Sequence, residues 1–175
     1  MDMKLNVLGI VYYVTFLSAI LLGIVAICRL IFKLATKNAP KTPNKFFIIM
    51  PFVILFISAA AFILNMGWIR VALVFSLIGP AQAVFFLFSS FYSSAFATRS
   101  RTILTFTIIN YIAYPAIYLL LPDGGDIGGA YMFFALIKSD MALEIGSLLA
   151  PLFFIVSLVS GIVQTVTSHK LKKAE

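Results

Sequence analysis

Charged residues are scarce in this chain of 175 residues: Lys, Arg, Asp and Glu make up only 11% of it, whereas 62% of the residues are hydrophobic. Soluble domains are about 45–50% apolar and about 25% charged. A soluble fold of this length could not bury so much apolar surface. The composition therefore excludes a soluble domain and predicts an all-α integral membrane protein, with residues 1–175 as a single transmembrane domain.

Cysteine and histidine are almost absent, with one of each, Cys28 and His169. A single cysteine excludes an intrachain disulfide. A single histidine excludes bis-histidine haem ligation and a histidine-rich metal site. The chain also lacks the G-x-S-x-G, H-E-x-x-H and P-loop motifs. We therefore expect no cofactor, no metal and no enzymatic activity.

Long hydrophobic runs are what the sequence has instead. A helix needs roughly 20 apolar residues to cross the hydrocarbon core of a bilayer. Five runs of this order occur, at about residues 5–32, 46–64, 69–97, 102–121 and 142–168. A shorter apolar piece at 130–138 cannot cross as a helix, so it predicts an interfacial helix or an oblique extension of the fifth run. The pattern predicts a bundle of five transmembrane helices.

The basic residues orient this bundle. Ten of the thirteen lie in three segments: from Arg29, near the end of the first run, to Lys45, then between the third and fourth runs, and after the fifth. Five spans place all three segments on one side of the membrane, whereas four or six would scatter them. Because Lys and Arg in short loops stay cytoplasmic, we expect an outside N-terminus and a cytoplasmic C-terminus. The compact, loop-poor build favours a bacterial inner (plasma) membrane.

Within the first of these segments, the stretch KLATKNAPKTPNK holds no acid and four lysines, Lys33, Lys37, Lys41 and Lys45. Each lysine near a membrane surface adds about 1 kcal/mol of attraction to anionic lipid. We therefore expect this loop to contact the anionic head groups of the bilayer. No folded soluble module accompanies the positive charge, which argues against nucleic-acid binding.

Polar side chains within the runs are few. Gln82 and Asn110 are expected at similar depth, where a hydrogen bond between them, direct or through water, would satisfy both. Tyr111, Tyr114 and Tyr118 follow at i, i+3 and i+7 on one helix face. Turned inward, this face would line an amphipathic cavity with the two amides. Turned outward, Tyr118 would belong to the interfacial aromatic belt.

Proline and small residues shape the runs. Gly79 and Pro80 lie near the middle of the third run. Because proline removes a backbone donor and kinks a helix, this step predicts either a hinge or a static kink. Small residues four apart, such as Gly146 and Ala150, predict close helix packing inside the bundle or at an oligomer interface.

Charged residues are missing from the middle of every run, which argues against a proton-coupled carrier. Glu144 begins the fifth run, where a lipid-facing carboxylate is costly. This position predicts a boundary ion pair between Glu144 and either Lys138 or Arg70.

Two functional classes follow from these features. The short loops and the lack of a catalytic set favour a non-enzymatic membrane protein that binds a protein partner. Such a protein would be an accessory or assembly subunit, or an immunity-type protein, and a homo-oligomer is also compatible. The alternative is a small-solute transporter or channel, oligomeric or not, with a polar cavity between the third and fourth spans.

The five-span topology makes a prediction about labelling. In a Cys28→Ser background, the variants Lys41→Cys and Gly125→Cys should react with a membrane-impermeant thiol reagent from opposite sides, because an odd number of spans separates the two loops from one another. Labelling from the same side would contradict the five-span topology.

Overall fold

The computed structural model describes residues 29–30, 33, 44–65, 67–124 and 129–174. Across these residues the fold is all-helical, with five helices and no strand. The helices are α1 (Lys45–Leu64), α2 (Trp68–Phe75), α3 (Ile78–Ser93), α4 (Arg101–Leu120) and α5 (Asp140–Ala174). The span expected at 5–32 lies outside the described residues apart from Arg29 and Leu30.

Of the helices in the described part of the chain, three are long and apolar enough to cross a membrane: α1, α4 and α5. Their bounds nearly coincide with the hydrophobic runs at 46–64, 102–121 and 142–168. Side-chain caps begin two of them: Asn44 accepts a hydrogen bond from the Phe46 amide, and Ser100 accepts one from the Ile103 amide. Such caps satisfy amide groups that have no partner within the helix.

The run at 69–97 is two helices instead of one continuous helix. α2 and α3 meet at Ser76 and Leu77 and are bent by 69° relative to one another, so they form either one broken span or a re-entrant loop. Leu77 has a positive φ of 61°, which ends the first helix. Gly79 and Pro80 lie just after the break, in the first turn of α3, where proline is well tolerated. Motion about this step stays a prediction.

Residues 130–138 form a hairpin rather than the expected interfacial helix, a correction to the sequence interpretation. Tyr131 pairs with Asp123, and Met132 pairs with Ile137, in antiparallel bridges. The turn between the latter two has positive φ at three successive residues, Phe133, Phe134 and Ala135. This conformation costs about 1–2 kcal/mol for each non-glycine residue, so contacts with the rest of the fold must stabilise it.

The helices have two distinct ends. At one end, α1 and α4 begin and α3 and α5 end, and this basic end carries Lys45, Arg99, Arg101, Lys170, Lys172 and Lys173. The other end, which we call the hairpin end, carries α2 and the hairpin 131–137. α4 runs antiparallel to α5, and among the five helices named above this pair has the most extensive contact.

Small residues make this packing close. Six of the seven buried residues of α5 are small: Gly146, Ala150, Ser157, Ser160, Gly161 and Ser168, with Gln164 as the exception. The row that could have formed an oligomer interface therefore faces its own bundle. At Gly146 the approach is especially close, because a Cβ there would lie 2.5 Å from the Leu120 carbonyl oxygen and 2.7 Å from the Met132 sulfur.

We predict that Gly146→Ala destabilises the protein, because the added methyl must displace the backbone of α4. Overpacking of this kind costs about 1–3 kcal/mol. Unfolding in mixed micelles should show the loss, whereas Ser147→Ala, on the exposed side of the same turn, should change stability by less than about 0.5 kcal/mol. Equal stability of both variants would contradict the close approach.

Candidate functional site

A buried ion pair lies at the hairpin end. Arg70 of α2 is 0% exposed and Asp123, three residues after α4, is 3% exposed. The guanidinium Nη1 lies 3.4 Å from Asp123 Oδ2. Two buried charges this close require further hydrogen bonds, because the surroundings offer little solvation.

The remaining bonds of this pair satisfy helix ends. Arg70 Nη1 donates to the Asn65 carbonyl at 2.8 Å, just after α1. Nη2 donates to the carbonyls of Tyr118 at 2.9 Å and Leu121 at 2.8 Å, in the last turn of α4 and just after it. These carbonyls have no amide partner within their helices, and a cation beside them is favourable.

Asp123 performs the complementary task at the start of α2. Its Oδ2 accepts a hydrogen bond from the Arg70 amide at 2.8 Å, and its Oδ1 accepts one from the Ile69 amide at 3.2 Å. An anion is favourable beside the free amides of a helix N-terminus. Gly67 allows this approach, because a Cβ there would overlap Asp123 Oδ1 and the backbone of Gly124.

Asn65 joins the hairpin to this cluster. Its carbonyl accepts from Arg70, while its side-chain oxygen accepts from the Ala135 amide. The Phe133 amide donates to the Leu119 carbonyl at 2.8 Å. These two bonds hold the residues with positive φ, and they tie the hairpin to the ends of α1 and α4.

The boundary ion pair that the sequence predicts at Glu144 is wrong. Arg70 pairs with Asp123 instead, because the chain after α4 brings that carboxylate against the first turn of α2. Glu144 is exposed, and Lys138 lies over the Tyr131 ring, 5.8 Å from its centre. In the sequence, Asp123 begins the turn DGGDIGG. That pattern predicts a turn but does not indicate which basic residue pairs with Asp123.

The three tyrosines of α4 face the interior. Tyr111, Tyr114 and Tyr118 are 9%, 1% and 5% exposed, so Tyr118 is not part of an outward aromatic belt. Tyr114 stacks on Phe86 with ring centres 4.1 Å apart. The Tyr118 hydroxyl donates to Gln82 Oε1 at 3.1 Å. Aromatic packing and hydrogen bonds therefore bring α3 and α4 together here.

Gln82 and Asn110 make no direct hydrogen bond with each other, and a bond through water stays a prediction. Asn110 Oδ1 accepts from the Ser157 hydroxyl of α5 at 2.8 Å, whereas Gln82 is bound by Tyr118. Gln164 is a polar residue that the sequence interpretation missed. It is fully buried, its Nε2 donates to the Phe106 carbonyl at 2.8 Å, and its Oε1 accepts from Ser93 at 3.2 Å. Its position inside the fifth hydrophobic run could have identified it as a buried polar residue.

Several buried polar atoms lack a hydrogen-bond partner among the residues that the structure describes. They include the amide nitrogens of Gln82 and Asn110 and the Thr107 hydroxyl. A buried donor without a partner is costly. A polar ligand or a water molecule in the interior could form hydrogen bonds with these atoms.

Within the described residues, no group of three or more His, Cys, Asp or Glu side chains is close enough to hold a metal ion. His169 lies at the basic end, with its Nδ1 3.3 Å from the Tyr92 hydroxyl. The absence of catalytic activity stays a prediction.

Comparisons with known proteins give no family for this chain. No family model matches it, and neither a curated protein nor a solved structure does so.

We predict that Asp123→Ala destabilises the protein strongly, by about 3–5 kcal/mol, because it leaves Arg70 buried without its counter-ion. Glu144→Ala is the matched control and should have little effect. Unfolding in mixed micelles measures both. Adding Arg70→Met to Asp123→Ala should cost less than the sum of the two single changes. A larger effect of Glu144→Ala would restore the pairing expected from the sequence.

Proposed function

We propose that this protein is a non-enzymatic membrane protein that binds a protein partner, or a second copy of itself, through the outward face of α5. The observation that carries this proposal is a row of six aliphatic side chains, which we call the α5 seam: Ile145, Leu148, Leu152, Ile155, Val159 and Ile162. Each is at least 49% exposed.

The spacing of the α5 seam supports helix docking. Its members are alternately three and four residues apart, which is the spacing of the contact positions in a coiled coil. Lipid supplies little hydrophobic drive between helices, so association depends on regular packing of side chains. A ridge of branched and aliphatic residues without a polar or aromatic interruption suits another transmembrane helix.

The topology that we propose has five spans, with the N-terminus outside and the basic end in the cytoplasm. Three long helices, together with the bent pair α2–α3 taken as one broken span, would make four spans, and the run at 5–32 would supply the fifth. Support for the orientation comes from the basic end, where the described lysines and arginines of three segments lie together. A bacterial inner membrane fits this build.

The alternative function is transport or conduction of a small solute. It is supported by the partnerless amide nitrogens of Gln82 and Asn110, buried between α3, α4 and α5. A solute with hydrogen-bond acceptors would match them. Against it, the oxygen of each amide is already bonded and aromatic rings fill the space between α3 and α4.

Native mass spectrometry of protein gently extracted from its own membrane tests the two functions. We expect a second chain, or a second copy, in fixed ratio. Val159→Trp should reduce this assembly at least tenfold, because the indole disrupts the α5 seam. Phe56→Trp is the matched control, since Phe56 is 75% exposed on α1, and it should retain the assembly.

A monomer in the wild type, or an intact assembly in Val159→Trp, would contradict docking through the α5 seam. A monomer that retains a discrete small molecule would support transport instead. Retention should then be lost in Gln82→Leu and Asn110→Leu, whereas partner binding would survive both changes because neither side chain reaches the α5 seam.

A further inference from the structure

A groove of about 530 Å³ opens at the basic end, between the last turns of α3 and α5. Its lining includes Phe88 and Tyr92 from α3, and Val166, His169, Lys170 and Lys173 from α5. The volume lies within the usual range of small-molecule sites, roughly 300–1,000 Å³. Val166, His169 and Lys173 continue the spacing of the α5 seam beyond Ile162, so the groove follows the seam on the same face of α5 and is remote from the buried ion pair.

One part of the groove is apolar. The rings of Phe88 and Tyr92 stack 5.7 Å apart and form its wall on α3, opposite Val166. This part lies deeper in the bundle than the charged residues, because α5 runs from Val166 towards its end at Ala174. An apolar wall at this depth suits a hydrocarbon chain.

The outer part of the groove is cationic. Lys170 and Lys173 are three residues apart and therefore project from the same side of α5, and both are exposed. His169 lies beside them, with its Nδ1 near the Tyr92 hydroxyl. The described acids, Asp123, Asp140 and Glu144, all belong to the hairpin end, so none of these three neutralises the cluster; in the sequence, Glu175 follows Lys173 by two residues.

We propose that the groove binds one anionic glycerophospholipid. Its phosphate would lie at Lys170 and Lys173, and an acyl chain would lie along Phe88 and Val166. The gradient from apolar to cationic extends over about 12 Å of helix, from Thr165 to Lys173, and matches the order of chain and head group in a lipid leaflet. Basic pockets between transmembrane helices bind anionic head groups in this way.

The proposal differs from general attraction of lipid by surface lysines, because it requires both the charge and the apolar wall. A soluble phosphate compound would use only the two lysines. A phospholipid also buries hydrocarbon against Phe88, so removal of its chains must weaken its binding. This difference separates the two sources of a phosphate group.

The test is lipid titration of the purified, delipidated protein, followed by native mass spectrometry. Phosphatidylglycerol should bind one molecule per chain at least tenfold more tightly than phosphatidylcholine with the same acyl chains. Lys170→Gln combined with Lys173→Gln should weaken phosphatidylglycerol binding about 25-fold, because each lysine near an anionic head group contributes about fivefold. Unfolding in mixed micelles checks that the variant remains folded.

Two further variants distinguish the effect of the groove on lipid binding from the effect of net charge. Lys45→Gln combined with Lys172→Gln removes the same charge at the same end, but neither residue lines the groove, so binding should fall less than threefold. Val166→Trp fills the groove without changing its charge and should weaken binding at least tenfold. Equal losses in both double lysine variants, or full binding in Val166→Trp, would overturn the proposal.

The source of the phosphate is tested by competition. Glycerophosphoglycerol, the deacylated head group, and inorganic phosphate should fail to displace phosphatidylglycerol at a hundredfold excess. Displacement by either would assign the groove to a soluble phosphate and overturn the lipid assignment. Equal binding of phosphatidylcholine would likewise overturn it, since the two lysines would then confer no selectivity.

Discussion

The buried Arg70–Asp123 pair is the interaction on which the hairpin end depends. A helix that ends in an apolar environment leaves carbonyl and amide groups that water cannot satisfy. One guanidinium satisfies carbonyls at the ends of α1 and α4, and one carboxylate satisfies amides at the start of α2. Because both groups are charged, each also neutralises the other. Burial of two charges therefore becomes tolerable where either charge alone would destabilise the fold.

The same cluster explains the unusual backbone around it. The hairpin has three successive residues with positive φ, a conformation that is unfavourable in isolation. Asn65 and Leu119, at the ends of α1 and α4, accept hydrogen bonds from two of these residues. Gly67 and Gly146 permit the close approaches that bring these segments together. Helix ends, ion pair and hairpin thus form one interdependent unit.

The rest of the bundle is held by weaker and more numerous interactions. Small residues on α5 let α3 and α4 approach, and the Tyr118–Gln82, Ser157–Asn110 and Gln164–Ser93 bonds link the helices pairwise. Each such bond in a membrane protein contributes on average about 0.6 kcal/mol. The polar groups of the interior are largely used in this way. The two proposed binding sites therefore lie on the surface. The aliphatic α5 seam would bind a protein, and the groove with its cationic outer part would bind a lipid.

Composition and hydropathy by themselves determined that the chain is helical and suited to a membrane, and they placed α1, α4 and α5 closely, because a spanning helix needs a long apolar run whatever its neighbours are. They also singled out Gln82, Asn110 and the tyrosines as polar residues within the runs, but left open whether the tyrosines face the interior or the lipid. Only the tertiary structure decided their partners, the break at Leu77 and the pairing of Arg70 with Asp123 rather than Glu144. These depend on which segments meet in space: Asp123 lies 53 residues from Arg70, and periodicity within one helix carries no information about such a contact.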